Sequence, residues 1–141
     1  MNILIHETDQ DIRKLYKAIF SPFPVKLTFT NEARETCIKA NRSNYDLVMM
    51  DVEFPTMEGL DIARSMVQNN PEQPLLLVSS IPLRLSDLGA SAYHSRSAIM
   101  MKPFDIEKLR NMIKKMLKPK PLPETEEKIP SLGFFQPALV S

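Results

Sequence analysis

Polar residues of a few types follow the short apolar segments of this 141-residue chain. The first segment is followed by a histidine, an acid and a hydroxyl, which are His6, Glu7 and Thr8. The third segment is followed by two acids, Asp51 and Glu53. The fourth is followed by Ser79 and Ser80, and the fifth by Lys102. Carboxylates, hydroxyls and a lysine suit a Mg²⁺ ion held by oxygen ligands, a carboxylate nucleophile and donors for phosphoryl oxygens. These residue types predict phosphoryl chemistry if the fold brings them together.

The elements that must position these residues are visible in the apolar pattern. Short runs rich in Ile, Leu, Val and Met lie at 3–5, 25–29, 47–50, 75–78 and 99–101. Between them, apolar residues recur at helical spacing. The alternation predicts five strands and five helices in one parallel sheet. The fourth helix, over 83–93, has the weakest pattern because it is rich in serine and contains Gly89.

The carboxyl ends of parallel strands meet at one edge of the sheet, and ligands bind there where the strand order reverses. We therefore expect Glu7, Asp51, Ser79 and Lys102 to converge at this edge. Asp9 could also reach back to the site, but its position favours a cap on the first helix.

Composition excludes several other kinds of site. Three isolated glycines leave no GxGxxG or GxxxxGK[ST] loop, so nucleotide loops of the Rossmann and P-loop kinds are excluded. The single Cys37 excludes a disulfide framework and a Cys-based zinc site. His6 and His94 form no metal-binding spacing, which leaves His6 as a packed residue or as a modulator of the neighbouring acids. A triad of Ser79, His6 and Asp51 lacks the GxSxG turn that such a nucleophile needs.

Charge and hydropathy indicate the compartment. A formal net charge of +1 gives little attraction to nucleic acid or to anionic lipid. The N-terminal apolar run is too short for a signal peptide, and no stretch approaches the ~18 apolar residues of a membrane span. We expect a cytoplasmic protein that contacts neither nucleic acid nor membrane directly.

The prolines divide the chain in two. Five of the twelve lie within residues 119–141, where they cannot extend a helix. We predict one domain at 1–118 and a proline-rich tail or linker at 119–141. The tail passes through the acidic stretch 124–127 to an apolar end. It is expected to pack on its own domain or to lead into a longer protein, with docking to a partner or second subunit as the alternative.

Two motifs resemble those of response-regulator receiver domains, the family of the chemotaxis regulators. Residues 45–60, YDLVMMDVEFPTMEGL, resemble the phosphorylation-site segment, and residues 101–105, MKPFD, resemble the closing lysine-proline motif. Asp51 and Lys102 lie fifty-one residues apart, and the Ser79-Ser80 pair ends an apolar segment between them. The resemblance extends over residues 1 to about 118.

The resemblance implies a flavodoxin-like (βα)5 fold and phosphotransfer from a phosphohistidine of a sensor histidine kinase or phosphotransfer protein. Asp51 takes the position of the phosphoacceptor, Lys102 that of the lysine that pairs with it, and Ser79 that of the hydroxyl that follows the phosphoryl group. Mg²⁺ would be held by Glu7, Asp51 and Glu53, the last through its backbone carbonyl or a water. Activity is then limited to phosphorylation and dephosphorylation of Asp51, without turnover of a separate substrate.

Two positions depart from the receiver pattern. Aligning Arg13 with the usual arginine of the first helix places Glu7 on the outer acid of the family's acidic pair and Thr8 on the inner one. One charged Mg²⁺ ligand is therefore missing, which should weaken Mg²⁺ binding by roughly one or two orders of magnitude. Ile99 stands where an aromatic residue usually swings inward, so a switch between hydroxyl and aromatic is not expected.

Two hypotheses remain. Asp51, Ser79 and Lys102 favour a phosphoacceptor, whereas Thr8 and Ile99 favour a pseudo-receiver that docks partners without phosphorylation. We favour the first. The output is then expected to be contact with a downstream protein target or a homodimer, through the face formed by the fourth helix, the fifth strand and the last helix.

Overall fold

Five parallel strands form the centre of the computed structural model, which describes residues 1–53 and 56–117. The strands are β1 (Asn2–His6), β2 (Lys26–Thr30), β3 (Leu47–Val52), β4 (Leu75–Ser79) and β5 (Ser97–Met101). They pair in the order β2-β1-β3-β4-β5. The order reverses between β1 and β3, as in flavodoxin-like doubly wound sheets. The predicted fold class, a five-stranded parallel sheet flanked by helices, is confirmed.

Helices connect the strands on both faces of the sheet. The α-helices in the described ranges are α1 (Gln10–Phe20), α2 (Ala33–Arg42), α3 (Glu58–Asn69) and α4 (Ile106–Leu117). Asp9 caps α1, as predicted, because its carboxylate accepts the N–H groups of Asp11 at 2.8 Å and Ile12 at 3.3 Å.

The predicted continuous helix over 83–93 is wrong. Two short 3₁₀ helices, Leu85–Leu88 and Ala90–His94, occupy this stretch. Gly89 separates them with a φ of +95°, a conformation that an α-helix cannot include. The Asp87 carboxylate also accepts the N–H of Arg84 at 2.7 Å, which satisfies the start of the first turn locally. The weak sequence pattern of this stretch therefore reflects a real break in the helix.

The sheet buries one apolar core on each face. On one side, α2, α3 and the 3₁₀ helices cover Leu4, Val48, Met50, Leu75 and Leu77. On the other side, α1 and α4 cover Ile3, Ile5, Leu47, Met49, Leu76 and Val78. Because helices cover both faces, the central strands are apolar at nearly every position instead of alternating with polar residues.

The edge strand β5 is less buried than the central strands. Four of its five residues are half-buried, and Met101 is 43% exposed. By contrast, all five residues of β4 are buried. The site residue that follows β5 is therefore attached to the less enclosed side of the sheet.

No helix in the described ranges is both long and apolar enough to cross a bilayer. The predicted tail at 119–141 lies outside the described residues.

Candidate functional site

The sheet register brings the ends of four strands to the same height. Ile5 of β1 pairs with Met49 of β3, which sets Glu7 level with Asp51 in the next strand. Val52 pairs with Ser79, and Ser79 pairs with Met101, the residue before Lys102. The backbone N–H of Lys102 also donates to the carbonyl of Ser79 at 2.8 Å. The predicted convergence at the carboxyl edge of the sheet is observed.

Lys102 connects two carboxylates. Its Nζ donates to Asp51 Oδ1 at 2.6 Å and to Glu53 Oε1 at 2.9 Å. The Lys102 side chain is 24% exposed and that of Asp51 is 12% exposed, whereas that of Glu53 is 53% exposed. Burial works against the charged amine, but the hydrogen bonds to the two carboxylates outweigh it and raise the pKa of Lys102. The ammonium group therefore stays protonated as the counter-ion of both acids.

Asp51 lies at the base of a cleft of about 250 Å³. Burial raises its pKa, and the hydrogen bond from Lys102 offsets part of that rise. Lys102 donates to Oδ1, which leaves the other carboxylate oxygen outside this contact. Asp51 is thus a partly buried carboxylate with one oxygen fixed by a cation.

Gly59 allows α3 to approach Asp51 closely. A Cβ at this position would lie 2.5 Å from the backbone carbonyl oxygen of Asp51, well inside a normal contact. Only glycine fits there without a shift of the backbone. Its sequence signal is an isolated glycine at the start of a helical pattern.

Glu7 is a buried acid with an unsatisfied oxygen. It is 3% exposed, and its Oε2 accepts the N–H of Asp9 at 3.1 Å. Its Oε1 is buried and has no hydrogen-bond partner among the described residues. Burial raises the pKa of Glu7, and the charges of Asp51 and Glu53 add to the rise. Glu7 therefore lies close enough to these two acids for their charges to interact.

Arg13 holds the start of this site together, a role that sequence reasoning missed. Its guanidinium donates to the backbone carbonyls of Glu7 and Thr30, and to Asn31 Oδ1 at 2.7 Å. It also lies 5.1 Å from the centre of the Phe29 ring. The ends of β1 and β2 are thereby fixed to α1. Only its place in the receiver pattern marked Arg13 in the sequence.

Ser79 lies beside the site, but its hydroxyl is engaged elsewhere. The side chain is fully buried, and Oγ donates to the Ile81 carbonyl at 2.7 Å and accepts the Ile81 N–H at 3.1 Å. Since a hydroxyl has one proton, Ser79 donates no hydrogen bond to Asp51 in this conformation. Ser80 is exposed, and its backbone N–H donates to Val52 at 3.3 Å.

The remaining candidates lie in two environments, the cleft and the apolar core. His6 lines the cleft, its Nδ1 is buried without a partner among the described residues, and its charged form would lower the pKa of Asp51. Thr8 also lines the cleft and is exposed. Ile99 is half-buried and packs against the core under α2 and α3. None of these three donates to Asp51.

The carboxylate oxygens of the site suit a weakly bound Mg²⁺ ion. Within residues 1–53 and 56–117, no three His, Cys, Asp or Glu side chains form a ready metal site. Mg²⁺, however, is usually bound through one or two carboxylates, with waters and phosphate oxygens completing its shell. Asp51 and the unsatisfied oxygen of Glu7 provide donors of that type. The residues therefore fit a magnesium ion that shares its shell with water or a ligand.

Comparison with known proteins places the chain in a family. A model of the response regulator receiver domain matches residues 3–114. Response regulator ArlR of Staphylococcus saprophyticus is 27% identical over 119 residues, which cover 84% of this chain and 53% of that protein. The uncharacterized transcriptional regulatory protein YkoG of Bacillus subtilis is 28% identical over 122 residues, which cover 83% and 51%. The chain spans about half the length of these relatives.

Solved structures share the fold. The response regulator TrrA of Thermotoga maritima, crystallised with Mg²⁺ and BeF, has a TM-score of 0.65 at 23% identity and covers 82% of this chain and 97% of its own. TrrA in complex with the histidine kinase ThkA has a TM-score of 0.66 at 24% identity, with 83% and 98% covered. Because the family model spans most of the chain and these structures have the same fold, the chain belongs to the response regulator receiver domains.

Proposed function

We propose that Asp51 accepts a phosphoryl group from a phosphohistidine of a sensor histidine kinase or phosphotransfer protein. The observation that carries this proposal is the 2.6 Å contact between Lys102 Nζ and Oδ1 of Asp51, a residue that lines the cleft. A fixed ammonium orients the carboxylate and offsets the charge that a phosphoryl group brings. The complex of TrrA with the kinase ThkA, a structural relative, supports this kind of donor.

Phosphoryl transfer to Asp51 exchanges a P–N bond for a P–O bond. The free oxygen of Asp51 attacks phosphorus, the P–N bond to histidine breaks, and an acyl phosphate P–O bond forms. The electron pair of the broken bond returns to the imidazole nitrogen of the donor. Lys102 then faces a phosphoryl oxygen in addition to the carboxylate. Hydrolysis by water returns Asp51 to the carboxylate, so the chain turns over no separate substrate.

Mg²⁺ is the cofactor that this proposal includes. Asp51 and Glu7 would hold it, with Glu53 contributing through its backbone carbonyl or a water, and the ion would offset phosphoryl charge. The contribution of the chain itself is to present one Asp51 oxygen to the cleft and to keep bulk water from most of its surface. Thr8 offers only a neutral oxygen, so the site is proposed to be weak.

Ser79 is proposed to report the modification. At rest its hydroxyl is bonded to the backbone of Ile81. A phosphoryl oxygen on Asp51, across the β3–β4 pair, would be a charged acceptor and thus a stronger one than a carbonyl. Ser79 would leave Ile81 for this acceptor and change the loop after β4.

The output is proposed to be protein contact through the 3₁₀ helices, β5 and α4, with a downstream target or a second copy of the chain. This face has half-buried apolar residues on β5 and basic residues on α4: Ile99, Met100, Lys108 and Lys115. The chain spans about half the length of relatives such as the transcriptional regulatory protein YkoG and the response regulator ArlR.

The second candidate function is a pseudo-receiver that docks partners without phosphorylation. The observation that favours it is the engagement of Lys102, whose ammonium already pairs with the carboxylates of both Asp51 and Glu53. The neutral Thr8 at an acidic position favours it too.

Beryllofluoride with Mg²⁺ tests these two functions directly. Amide signals of Asp51, Ser79 and Ser80 are followed by NMR during the titration, and acetyl phosphate labelling of Asp51 is read by mass spectrometry. We expect shifts at all three residues and a label that the Asp51→Asn variant lacks. No response at ~10–50 mM Mg²⁺ would reject the phosphoacceptor in favour of the pseudo-receiver.

A further inference from the structure

The Lys102 ammonium has a second partner whose role the phosphoacceptor function leaves open. Glu53 lies two residues beyond Asp51, and its Oε1 accepts from Lys102 Nζ at 2.9 Å. The contact joins residues forty-nine positions apart in the chain. Glu53 is thus placed to control where the Lys102 ammonium points.

The two carboxylates compete for one cation. An ammonium has three N–H donors, and Asp51 and Glu53 occupy two of them. A phosphoryl group on Asp51 gains from Lys102 only if the ammonium turns toward it. The contact with Glu53 fixes the direction of the ammonium and so opposes that turn.

Exposure limits the strength of this competition. The Glu53 side chain is 53% exposed, and ion pairs in such settings are weak because water screens them and the side chain must be ordered. Lys102 and Asp51 are more enclosed, at 24% and 12%. A phosphoryl group can therefore break the Glu53 contact, and doing so lowers the affinity of the site for that group only modestly.

We propose that Glu53 is a positioning residue that holds Lys102 in the resting state and so raises the concentration of phosphoryl donor needed to modify Asp51. This inference rests on the proposed phosphoacceptor function and adds a regulation of the same site. Glu53 acts through Lys102 and touches no reacting atom. The Lys102 ammonium must then leave the carboxylate of Glu53 when the site is occupied.

A simpler account is that Glu53 only adds negative charge to the cleft. Glu58 provides the matched control, since it lines the same cleft but pairs with Arg34 at 3.7 Å instead of Lys102. Its side chain is 51% exposed, close to that of Glu53. Glu53→Asp provides a second control, because it keeps the charge and shortens the reach to Lys102.

The experiment measures the apparent affinity for beryllofluoride at fixed Mg²⁺ in the wild-type chain and in the Glu53→Met, Glu53→Asp and Glu58→Gln variants. Amide shifts give the affinity, and the side-chain ¹⁵Nζ signal of Lys102 without beryllofluoride reports the resting contact. We expect Glu53→Met and Glu53→Asp to bind ~3- to 10-fold more tightly and to move the Lys102 signal, on the scale of a weak ion pair. Glu58→Gln should stay close to wild type.

The possible outcomes separate the two proposals. Tighter binding by Glu53→Met and Glu53→Asp than by the wild-type chain, with Glu58→Gln unchanged, supports the holding role. Equal affinity of wild type and Glu53→Met, or equal gains in Glu53→Met and Glu58→Gln, overturns that role and leaves Asp51 as an acceptor. Wild-type behaviour of Glu53→Asp overturns it in the same way. If no chain responds, the acceptor function fails and the holding role fails with it.

Discussion

The two halves of the site are held in different ways. On the β1–β3 side, Glu7 and Asp51 extend from strands whose apolar residues are almost completely buried, and Arg13 and Gly59 fix the adjoining backbone. On the β4–β5 side, the Ser79 hydroxyl is bonded to its own loop. There, Lys102 follows an edge strand whose residues are half-buried or exposed.

This difference separates a rigid acidic half from an adjustable cationic half. Packing and backbone hydrogen bonds set the position of Asp51, whereas ion pairs set the position of the Lys102 ammonium. Close-packed interiors resist small displacements, whereas an ion pair with a half-exposed partner such as Glu53 can be broken at little cost. Asp51 is therefore held firmly, while the Lys102 ammonium can exchange one of its two partners.

The largest expected effect tests the difference in burial between β4 and its neighbour β5, the edge strand that leads to Lys102. Leu77 of β4 is fully buried, so Leu77→Ala should lower the free energy of unfolding by ~2–5 kcal/mol through lost apolar contact and a cavity. Met101→Ala on β5, where the side chain is 43% exposed, should cost less than ~1 kcal/mol. Urea denaturation of both variants measures the difference. Equal losses would mean that β5 is packed as firmly as β4.

Gly59→Ala should disturb the rigid half at its closest contact. The added Cβ meets the Asp51 carbonyl oxygen, so α3 or β3 must shift, and we expect a loss of ~1–3 kcal/mol. Alanine is otherwise the better helix former, which makes a loss informative. Ser65→Ala, an exposed change in the same helix, should stay within ~0.5 kcal/mol. A stability gain in Gly59→Ala would contradict the close approach.

Thr8→Asp tests whether the rigid half lacks charge. A carboxylate at this exposed position in the cleft should tighten Mg²⁺ binding by ~10- to 100-fold. Calorimetric titration with Mg²⁺ measures the change. Thr8→Asn, which adds a neutral oxygen of similar size, should gain far less. Identical affinities for the two variants would show that charge at this position does not limit binding.

The smallest effect concerns the titration of the rigid half. Burial raises the pKa of Glu7, so the native state holds its proton more tightly than the unfolded chain does. Its contribution to the free energy of unfolding therefore falls as pH rises from the ordinary carboxyl range through the raised pKa. Glu7→Gln cannot titrate, and it should be more stable than wild type by ~1 kcal/mol at neutral pH and similar at low pH, measured without Mg²⁺. A pH-independent difference would refute this assignment.

Sequence reasoning predicted the parts of the fold that depend on local patterns. Unbroken apolar runs indicated strands that helices cover on both faces, and the strand ends then had to meet at one edge. This places Asp51 and Lys102 together without any knowledge of their distance. Sequence reasoning failed over 83–93, where the apolar spacing is compatible with a helix but the φ of Gly89 is not.

The contacts that sequence reasoning missed depend on distances between elements. Gly59 matters because one backbone oxygen approaches it, and Arg13 matters because three acceptors from two strand ends come within its reach. The resemblance to receiver domains implied only a Mg²⁺-binding role for Glu53, through its backbone carbonyl or a water. The contact of Glu53 with Lys102 depends on where the two side chains lie in the folded protein, and the spacing of residues along the sequence does not give those positions.

The two 3₁₀ helices have a consequence for the cost of rearrangement. A continuous helix is cooperative, so remodelling it requires many hydrogen bonds to break together. Between β4 and β5, the structure has turns of four and five residues, closed by bonds such as Gly89 N–H to Ser86 and Ser95 N–H to Ala92. Gly89 separates the two turns, and each is closed by its own backbone hydrogen bonds. Remodelling the segment that follows Ser79 is therefore expected to break fewer hydrogen bonds at once than remodelling a continuous helix would.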